Sequence, residues 1–343
     1  MTRVLVIGGG PAGLSASIAV SIKGFDVTVI DSARPPIDKA CGEGILPAGV
    51  DILRRLGVRI PKDDGFALRG IRFLSDGVSV EAPFPSGTGL ALRRTRLHEC
   101  LIERATELGV RLLWSRRATD VSAASSFEWI VGADGQNSRI RSAAGLDDPG
   151  RRSYRVGFRR HYRVSPWTDF VEVHWGSRCQ IYITPVSPNE MGVAVLSRDS
   201  HTRLEDALIE FPVLQRRLAG VRACSMERGA MTASRCLRHV VHGNTALAGD
   251  ASGSVDAITG DGLSLAFQEA VALADALATG DLRRYETAHR RLMRHPAMLA
   301  RVLLLLDRFP ALRRTVMRLL VWEPAVFGRA LAEHGAISAG ARG

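Results

Sequence analysis

The stretch Val4-Leu-Val-Ile-Gly-Gly-Gly-Pro-Ala-Gly13 decides the fold of this chain. Its four leading apolar residues predict a short buried strand. The glycines that follow satisfy the pattern G-x-G-x-x-G through Gly8, Gly10 and Gly13. In this pattern the first glycine permits a tight turn, the second lets the backbone approach a pyrophosphate, and the third lets a helix pack close to the strand. The stretch therefore predicts a dinucleotide-binding turn.

The residues after the glycines continue this pattern. A helix is predicted over residues 14–22, and its N-terminus faces the phosphate charge. A second strand is predicted over residues 27–30 and ends at Asp31. An acidic residue about 20 positions after the glycines accepts hydrogen bonds from a ribose. The sequence thus predicts a Rossmann-type domain, and this motif alone does not choose between NAD and FAD.

Two later stretches are predicted strands that end in an acidic residue. Trp129-Ile-Val-Gly-Ala-Asp-Gly135 ends one strand at Asp134, with Ser138 and Arg141 following at the spacing D-G-x-x-S-x-x-R. Ala246-Leu-Ala-Gly-Asp250 ends the other strand in a G-D pair. A turn rich in glycine and a predicted helix over residues 263–278 come after this pair.

A fourth element, of the form R-x-x-L-x-x-x-L, consists of Arg94, Leu97 and Leu101. The four elements span residues 4–278, and in kind and order they resemble the flavoprotein superfamily of aromatic-ring hydroxylases and geranylgeranyl reductases. The resemblance implies an α/β fold with an α+β second layer. In such a fold a Rossmann-type FAD-binding domain carries an inserted antiparallel β-sheet substrate domain, and here a C-terminal helical segment follows.

The resemblance also implies FAD as the cofactor. In this family the aspartate of the G-D motif, Asp250 here, holds the ribityl hydroxyls, and the arginine, Arg94 here, lies against the cofactor. The helix that follows points its N-terminus at the pyrimidine edge of the flavin, where partial positive charge stabilises the reduced anion. The implied cofactor-binding residues are Gly8, Gly10, Pro11, Ala12, Gly13, Asp31, Arg94, Asp134, Gly249, Asp250, Gly260, Gly262 and Leu263.

Features of both branches of the superfamily are present. Lys39-Ala-Cys-Gly-Glu-Gly44 and the segment after the G-D pair resemble the reductases, but their aromatic W-x-F-P signature is missing. Residues 180–185 and 191–195 instead resemble bacterial FAD-dependent monooxygenases, some of them associated with polyketide pathways and thus with secondary metabolism. Cys41 has two interpretations: a catalytic candidate near the isoalloxazine, or a small packing residue in a glycine-rich loop.

The resemblance therefore leaves three functions open. We place first an NAD(P)H-dependent monooxygenase, which hydroxylates an aromatic or polyketide-like lipophilic molecule through a flavin C4a-hydroperoxide. The alternative is a reductase of isoprenoid or lipid double bonds, like the geranylgeranyl reductases. The third is a non-catalytic flavin-fold protein that binds a lipid. The choice between NADH and NADPH stays open, and His161, His174 and His239 qualify as a catalytic base by residue type alone.

Composition restricts the class of protein. The chain has 343 residues, 46% of them apolar and 24% charged, which excludes disordered, collagenous and disulfide-scaffold proteins. The net charge is +11, but only three basic residues are lysines and the arginines are scattered, so we expect no nucleic-acid partner. Five cysteines without a C-x-x-C pair predict neither a disulfide framework nor a metal site.

The sequence also predicts the compartment and the domain organisation. No apolar run reaches about 18 residues and no secretion signal is recognised, so a reducing cytoplasm is predicted. After residue 282 the chain is predicted to be helical and basic, forming a cap over the pocket, which we favour, or a helix on a membrane surface. Tyr182, Trp175 and Phe158 are predicted to line the pocket. The predicted parts are an FAD-binding domain (1–70, 90–150 and 240–285), a substrate-side sheet (71–89 and 151–239) and a helical cap (286–343).

Overall fold

A computed structural model describes residues 1–117, 126–148, 153–323 and 327–328 of the chain. Its strands are β1 (Arg3–Ile7), β2 (Asp26–Asp31), β3 (Gly44–Ile45), β4 (Gly65–Leu68), β5 (Gly70–Ser75), β6 (Val78–Pro83), β7 (Gly89–Leu92), β8 (Arg111–Trp114), β9 (Trp129–Gly132), β10 (Ser153–Arg163), β11 (Phe170–Trp175), β12 (Cys179–Ser187), β13 (Glu190–Ser197), β14 (Arg228–Ser234), β15 (Val241–His242) and β16 (Thr245–Leu247). Its α-helices are α1 (Pro11–Ile22), α2 (Pro47–Arg55), α3 (Arg94–Glu107), α4 (Arg139–Ala143), α5 (Leu204–Leu208), α6 (Pro212–Leu218), α7 (Gly262–Ala278), α8 (Leu282–Arg308) and α9 (Pro310–Trp322).

The first sheet is the predicted Rossmann-type sheet. It has six strands in the order β15-β16-β9-β1-β2-β8, and β1 pairs in parallel with both β2 and β9. Val4, Leu5 and Val6 are fully or almost fully buried, as expected for a central parallel strand covered on both faces. Helices α1, α3 and α7 pack together with this sheet in the largest apolar cluster of the described chain. The predicted α/β fold is confirmed.

The second sheet has seven strands in the order β14-β10-β13-β12-β11-β5-β6. Its pairs are antiparallel except for β11 and β5, which run in parallel. Most of its strands lie where the sequence predicts the substrate-side sheet. The edge strand β14 was not predicted, because its sequence Arg-Gly-Ala-Met-Thr-Ala-Ser contains small residues and only one large apolar residue.

A third, three-stranded sheet was also not predicted. Its order is β3-β7-β4, and it lies against β12 of the seven-stranded sheet. Gly44 pairs with Ala91, only three residues before Arg94, so this sheet brings the Lys39–Gly44 loop to the start of α3. The loop and the arginine of two separate sequence motifs therefore meet.

Helix α8 continues across the predicted domain boundary at residues 285 and 286. Tyr285 and His289, on either side of that boundary, are both buried, and Pro296 lies inside the helix. The helix therefore crosses this boundary, and the predicted division into domains stays a prediction. Residues 324–326 and 329–343 of the predicted cap lie outside the described residues.

Asp307 attaches α8 to the seven-stranded sheet. Its carboxylate accepts hydrogen bonds from the buried Arg155 of β10 and from Gln180 of β12. Arg198 reaches the same carboxylate at 2.6 Å. Leu303 and Leu306, on the same side of α8, join an apolar cluster with Trp175 and Leu196 of the sheet. The end of the helix is thus held by apolar packing and by a buried ion pair.

Replacing Asp307 with alanine should destabilise the protein strongly. The change leaves Arg155, only 3% exposed, without its closest carboxylate, and breaking a buried ion pair typically costs about 3–5 kcal/mol. The free energy of unfolding in urea measures this. Asp51→Ala is the matched control, because Asp51 pairs with Arg54 at the surface and should cost at most about 1 kcal/mol. Equal losses in the two variants would contradict the prediction.

Candidate active site

The glycine turn between β1 and α1 is built by close backbone contacts. Gly8 has a φ of +114°, and a Cβ atom there would lie 2.2 Å from the carbonyl oxygen of Ala133. A Cβ atom on Gly13 would lie 1.8 Å from the carbonyl oxygen of Gly8. Side chains are therefore excluded at both positions, which is the steric role that the motif predicts.

The outer side of this turn is open. A Cβ atom on Gly10 would meet only the Nη2 atom of Arg94, at 4.0 Å. Pro11 occupies the first turn of α1, and no side chain in the described part of the chain caps that helix N-terminus. The free backbone N–H groups and the partial positive charge of a helix start suit an anionic group such as a pyrophosphate. Gly10, Pro11 and Arg94 therefore lie at one end of an open region on this side of the turn, which we call the cleft.

Asp31, predicted to hold a ribose, ends β2 beside this turn. Its Oδ2 atom accepts a hydrogen bond from the Gly9 N–H at 2.7 Å, and its Oδ1 atom accepts one from the Ala33 N–H at 2.7 Å. Each carboxylate oxygen can accept a further hydrogen bond. The carboxylate fixes the glycine turn, and the predicted ribose contact stays a prediction.

His98 supports the same turn from α3, a role that no sequence motif indicated. The Ile37 N–H donates to its Nδ1 atom at 3.4 Å, so the proton lies on Nε2, which donates to the Gly9 carbonyl at 2.7 Å. The side chain is fully buried, and this burial is the main cause that lowers the pKa of His98. A neutral imidazole therefore connects α3 to the glycine turn.

The G-D pair lies directly against the glycine turn. Gly249 has a φ of +61°, and a Cβ atom on it would lie 2.5 Å from the Cβ atom of Ala12. Asp250 follows; it is exposed to solvent, and its carboxylate makes no hydrogen bond to the described residues. Desolvation by the surrounding protein atoms raises the pKa of Asp250, while the positive charges of Arg94 and Lys39 act to lower it. An acceptor without a partner, next to two cations, is thus available to a ligand.

A buried polar cluster holds the G-D pair from behind. The Oε2 atom of Glu269 in α7 accepts a hydrogen bond from the Gly249 N–H at 2.6 Å. Ser252 lies between Glu269 and His289 of α8, with its Oγ atom 3.0 Å from the His289 Nε2 atom. Tyr285 adds a hydrogen bond from its hydroxyl to the Leu247 carbonyl at 2.6 Å. Two helices therefore fix the turn that carries Asp250.

The segment between Asp250 and α7 ends in an open helix start. Gly260 adopts a left-handed conformation with a φ of +70°, and α7 begins at Gly262. A Cβ atom on either glycine would meet no atom within 4 Å, so space is open on this side of the helix start. Leu263 is buried against the main apolar cluster. This arrangement fits the predicted approach of a flavin ring to the N-terminus of α7.

Asp134 performs a different task from the other predicted residues. Its Oδ2 atom accepts hydrogen bonds from the N–H groups of Arg139 and Ile140 at 2.7 and 3.3 Å, so it stabilises the start of α4. Arg141 is buried and donates to the carbonyl groups of Gln136 and Ala251 at 2.9 and 3.1 Å. The D-G motif is thereby joined to the G-D segment. A contact between Asp134 and the cofactor stays a prediction.

Glu43 is the buried residue on the Lys39–Gly44 loop, and it links this loop to two other parts of the site. Its Oε1 atom accepts a hydrogen bond from the Arg94 N–H at 2.8 Å, and its Oε2 atom lies 2.6 Å from the Nε2 atom of His161. Arg159 donates to the His161 Nδ1 atom at 3.1 Å, so the imidazole proton lies on Nε2 and points at Glu43. The loop, α3 and β10 are therefore held by one acid–imidazole pair.

Cys41 lies two residues before Glu43. It is half-buried, its Sγ atom accepts a hydrogen bond from the Glu43 N–H at 3.3 Å, and its side chain packs against the main apolar cluster. These contacts fit a packing role and leave the thiol on the loop beside the cleft. Both interpretations of Cys41 therefore stay open.

The other residues selected by type lie in different places. His174 pairs with Glu172 at 3.0 Å, and His239 is exposed and pairs with Glu286. The Tyr182 hydroxyl donates to the Ile258 carbonyl at 3.0 Å, within the segment that follows Asp250. Phe158 lies under Arg203, on the face of β10 opposite to Arg159 and His161, so its predicted place in the pocket wall is wrong.

The cleft as a whole fits FAD. It joins an open helix N-terminus for the pyrophosphate, two cations, an unpartnered carboxylate for ribityl hydroxyls, and open space at the start of α7. A family model described as FAD binding domain matches residues 1–217, well over half of the chain.

The chain belongs to the FAD binding domain family. Its cofactor is FAD, and it is an FAD-dependent oxidoreductase of the superfamily that contains aromatic-ring hydroxylases and geranylgeranyl reductases. No helix in the described ranges is both long and apolar enough to cross a membrane.

Relatives come from both branches of the superfamily. A menaquinone reductase of Mycolicibacterium smegmatis is 27% identical over 326 residues, which cover 83% of this chain and 78% of that protein. A rifampicin monooxygenase of Rhodococcus hoagii is 26% identical over 162 residues, or 41% of this chain and 33% of that protein. Among solved structures, a geranylgeranyl bacteriochlorophyll reductase-like protein from Thermoplasma acidophilum matches with a TM-score of 0.73 at 18% identity, covering 88% of this chain and 87% of that one.

Removing the Asp250 carboxylate should weaken FAD binding. Hydrogen bonds to a charged group contribute about 1.5–3 kcal/mol, so Asp250→Ala should raise the Kd for FAD roughly ten- to a hundredfold. Fluorescence titration of the apoprotein with FAD measures this. Asp275→Ala is the control, because Asp275 lies exposed on α7 and pairs with Lys23 at the surface. An unchanged Kd in Asp250→Ala would show that this carboxylate does not hold the cofactor.

His98 should make the stability of the apoprotein depend on pH. Because its pKa is lowered in the folded state, only the unfolded state takes up the proton just below about pH 6.5. The stabilisation is therefore complete above that pH and is lost as the pH falls toward the lowered value. Urea unfolding between about pH 7.5 and pH 5 should show this loss, and His98→Gln should reduce it. His201→Gln, at an exposed histidine, should keep the original slope, and an equal slope in His98→Gln would refute the assignment.

Proposed function

We propose that the chain is an FAD-dependent reductase that adds a hydride and a proton across a double bond of a lipophilic, isoprenoid-like molecule, with NADH or NADPH as electron donor. The observation that carries the proposal is the Lys39–Gly44 loop, whose sequence resembles the reductases. The buried pair of Glu43 and His161 holds this loop beside the Arg94 end of the cleft. The menaquinone reductase similarity, which extends over most of both chains, supports the same branch.

This reaction places clear demands on the residues around the cofactor. Bound FAD supplies the hydride, and the chain has to supply the proton and exclude water from the reacting atoms. Cys41 and the Glu43–His161 pair are titratable groups on or against the loop beside the cleft. We propose that this group of residues delivers the proton, with Arg159 fixing the tautomer of His161.

Monooxygenation of an aromatic or polyketide-like molecule is the second candidate. It is favoured by the similarity to a rifampicin monooxygenase and by the resemblance of β12 and β13 to strands of bacterial monooxygenases. Because that similarity covers less than half of the chain, we place monooxygenation after reduction, which reverses the order that the sequence alone suggested. A cytoplasmic location fits both reactions.

The two reactions predict different products from one experiment. The purified FAD protein is reduced anaerobically with NADH or NADPH and mixed with a polyprenyl quinone, or separately with a phenolic polyketide. Reduction predicts reoxidation of the flavin without oxygen and a quinone product that gains two hydrogen atoms in its side chain.

Isotopically labelled oxygen tests for monooxygenation. Monooxygenation predicts that the polyketide product gains one labelled oxygen atom and that nothing forms anaerobically. Protein without substrate, treated in the same way, is the control for uncoupled flavin oxidation. A labelled oxygen atom in the product would overturn the reductase, and FAD that no donor or substrate oxidises or reduces would point to the lipid-binding alternative.

A further inference from the structure

The C-terminal helices carry a series of exposed apolar side chains. On α8, Met298, Val302 and Leu305 recur at steps of four and three residues, so they share one helix face, and Phe309 and Leu312 follow at the non-helical junction and in the first turn of α9. We call this row the apolar ridge; its members are Met298 (53% exposed), Val302 (49%), Leu305 (50%), Phe309 (47%) and Leu312 (44%). Exposed apolar surface of this extent marks an interaction site.

Helix α9 extends the apolar surface beyond the ridge. Leu312, Leu319 and Trp322 lie seven and three residues apart, which places them on one face of α9. Leu319 is 61% exposed and Trp322 is 85% exposed. A tryptophan so exposed at the end of an apolar face is typical of residues that lie at a membrane–water interface.

Positive charge accompanies the ridge. Arg294, Arg301 and Arg308 are exposed, recur every seven residues along one edge of it, and form no ion pair with any residue that the structure describes. Between residues 287 and 322 the sequence contains eight arginines and a single acidic residue, Asp307. Arg290 and Arg314 pair with Glu286 and Asp76, but Asp307 points inward to Arg155 and leaves the charges of Arg294, Arg301 and Arg308 uncompensated.

We propose that this surface docks the protein on an anionic phospholipid membrane, with the apolar ridge in the interface and the arginines against the headgroups. Buried apolar area and attraction to anionic lipids are the two terms that hold an amphipathic helix at a membrane surface. A second copy of this chain is a poorer occupant, because two such cationic faces repel each other. The proposal goes beyond the reaction and stands whichever reaction is correct.

The inner face of α8 contacts the segment that follows Asp250, so membrane docking would bring a lipophilic substrate close to the cofactor segment. Leu303 and Leu306 pack in one cluster with Ile258, which lies in the segment between Asp250 and α7. The membrane-facing side chains and the cofactor segment therefore lie on opposite sides of a single helix. Only this role in substrate access rests on the proposed lipophilic substrate.

Vesicle binding by the FAD-loaded protein tests the docking without measuring turnover. The probes are sucrose-loaded vesicles of phosphatidylcholine alone and of phosphatidylcholine mixed with phosphatidylglycerol. We expect sedimentation with the anionic vesicles, much weaker sedimentation with the neutral ones, and release as the salt concentration rises. Equal binding to both kinds of vesicle, or none to either, would overturn the proposal.

Matched arginine variants separate a local surface from net charge. The triple variant Arg294→Gln, Arg301→Gln and Arg308→Gln should lower the partition coefficient on the order of a hundredfold, because each surface cation near anionic lipid contributes severalfold. The control triple variant Arg55→Gln, Arg111→Gln and Arg216→Gln removes the same charge from exposed positions elsewhere and should lower it only a few-fold. Equal losses of vesicle binding in the two triple variants would show that binding depends on net charge alone and would refute a local docking surface.

The apolar contact has a separate measurement. Val302→Asp should abolish sedimentation while the FAD absorbance and the circular dichroism stay unchanged, because Val302 points away from the folded core. Tryptophan emission should shift to shorter wavelength when anionic vesicles are added, and Trp322→Phe should remove most of that shift. A shift that persists in Trp322→Phe, or binding of Val302→Asp at the original level, would contradict insertion of this surface. Binding of an acidic protein by this face, with no vesicle binding, would identify a different kind of partner and overturn the proposal.

Discussion

The close contact between the start of α1 and the ends of β1 and β9 is the constraint on which the rest of the structure depends. A Cβ atom on Gly13 would lie 1.8 Å from the Gly8 carbonyl oxygen, and one on Gly8 would lie 2.2 Å from that of Ala133. A side chain at either position would push α1 away from the sheet. The helix N-terminus would then leave the cleft, together with its partial positive charge and its free N–H groups.

Three carboxylates stabilise the backbone around this contact in the same way. Asp31, Glu43 and Glu269 each accept a backbone N–H, from Gly9, Arg94 and Gly249 respectively. Hydrogen bonds to a charged acceptor are about twice as strong as those between neutral groups. Each bond fixes a different backbone segment at the cleft, so the turns that receive the cofactor are held from behind by charge. Asp250 has no such partner in the described chain, and its carboxylate stays available in the cleft.

The sequence predicted the features that local residues encode and missed those that depend on distant partners. The helix predicted over residues 263–278 is α7 (Gly262–Ala278), and the strand predicted over 27–30 is β2 (Asp26–Asp31), because apolar runs and flanking glycine or acidic residues mark both ends. The supporting roles of His98 and Glu43 were missed. Their partners Gly9 and His161 lie 89 and 118 residues away, and no local spacing signals such a contact.

Helix α8 departs in part from the usual arrangement of a surface helix near its C-terminal end. An ordinary amphipathic helix turns its charged residues outward and its apolar residues inward. Here Asp307 is directed inward to the buried Arg155, whereas Leu305 and Phe309 are about half exposed. Burying a charge is costly and is tolerated only when the charge is paired, so the inward direction is fixed by the sheet. The inward direction of Asp307 does not explain why Leu305 and Phe309 face outward, where they expose apolar surface to water. Because α8 is only about 10 Å thick, a lipophilic molecule at that face is one helix away from the segment that follows Asp250.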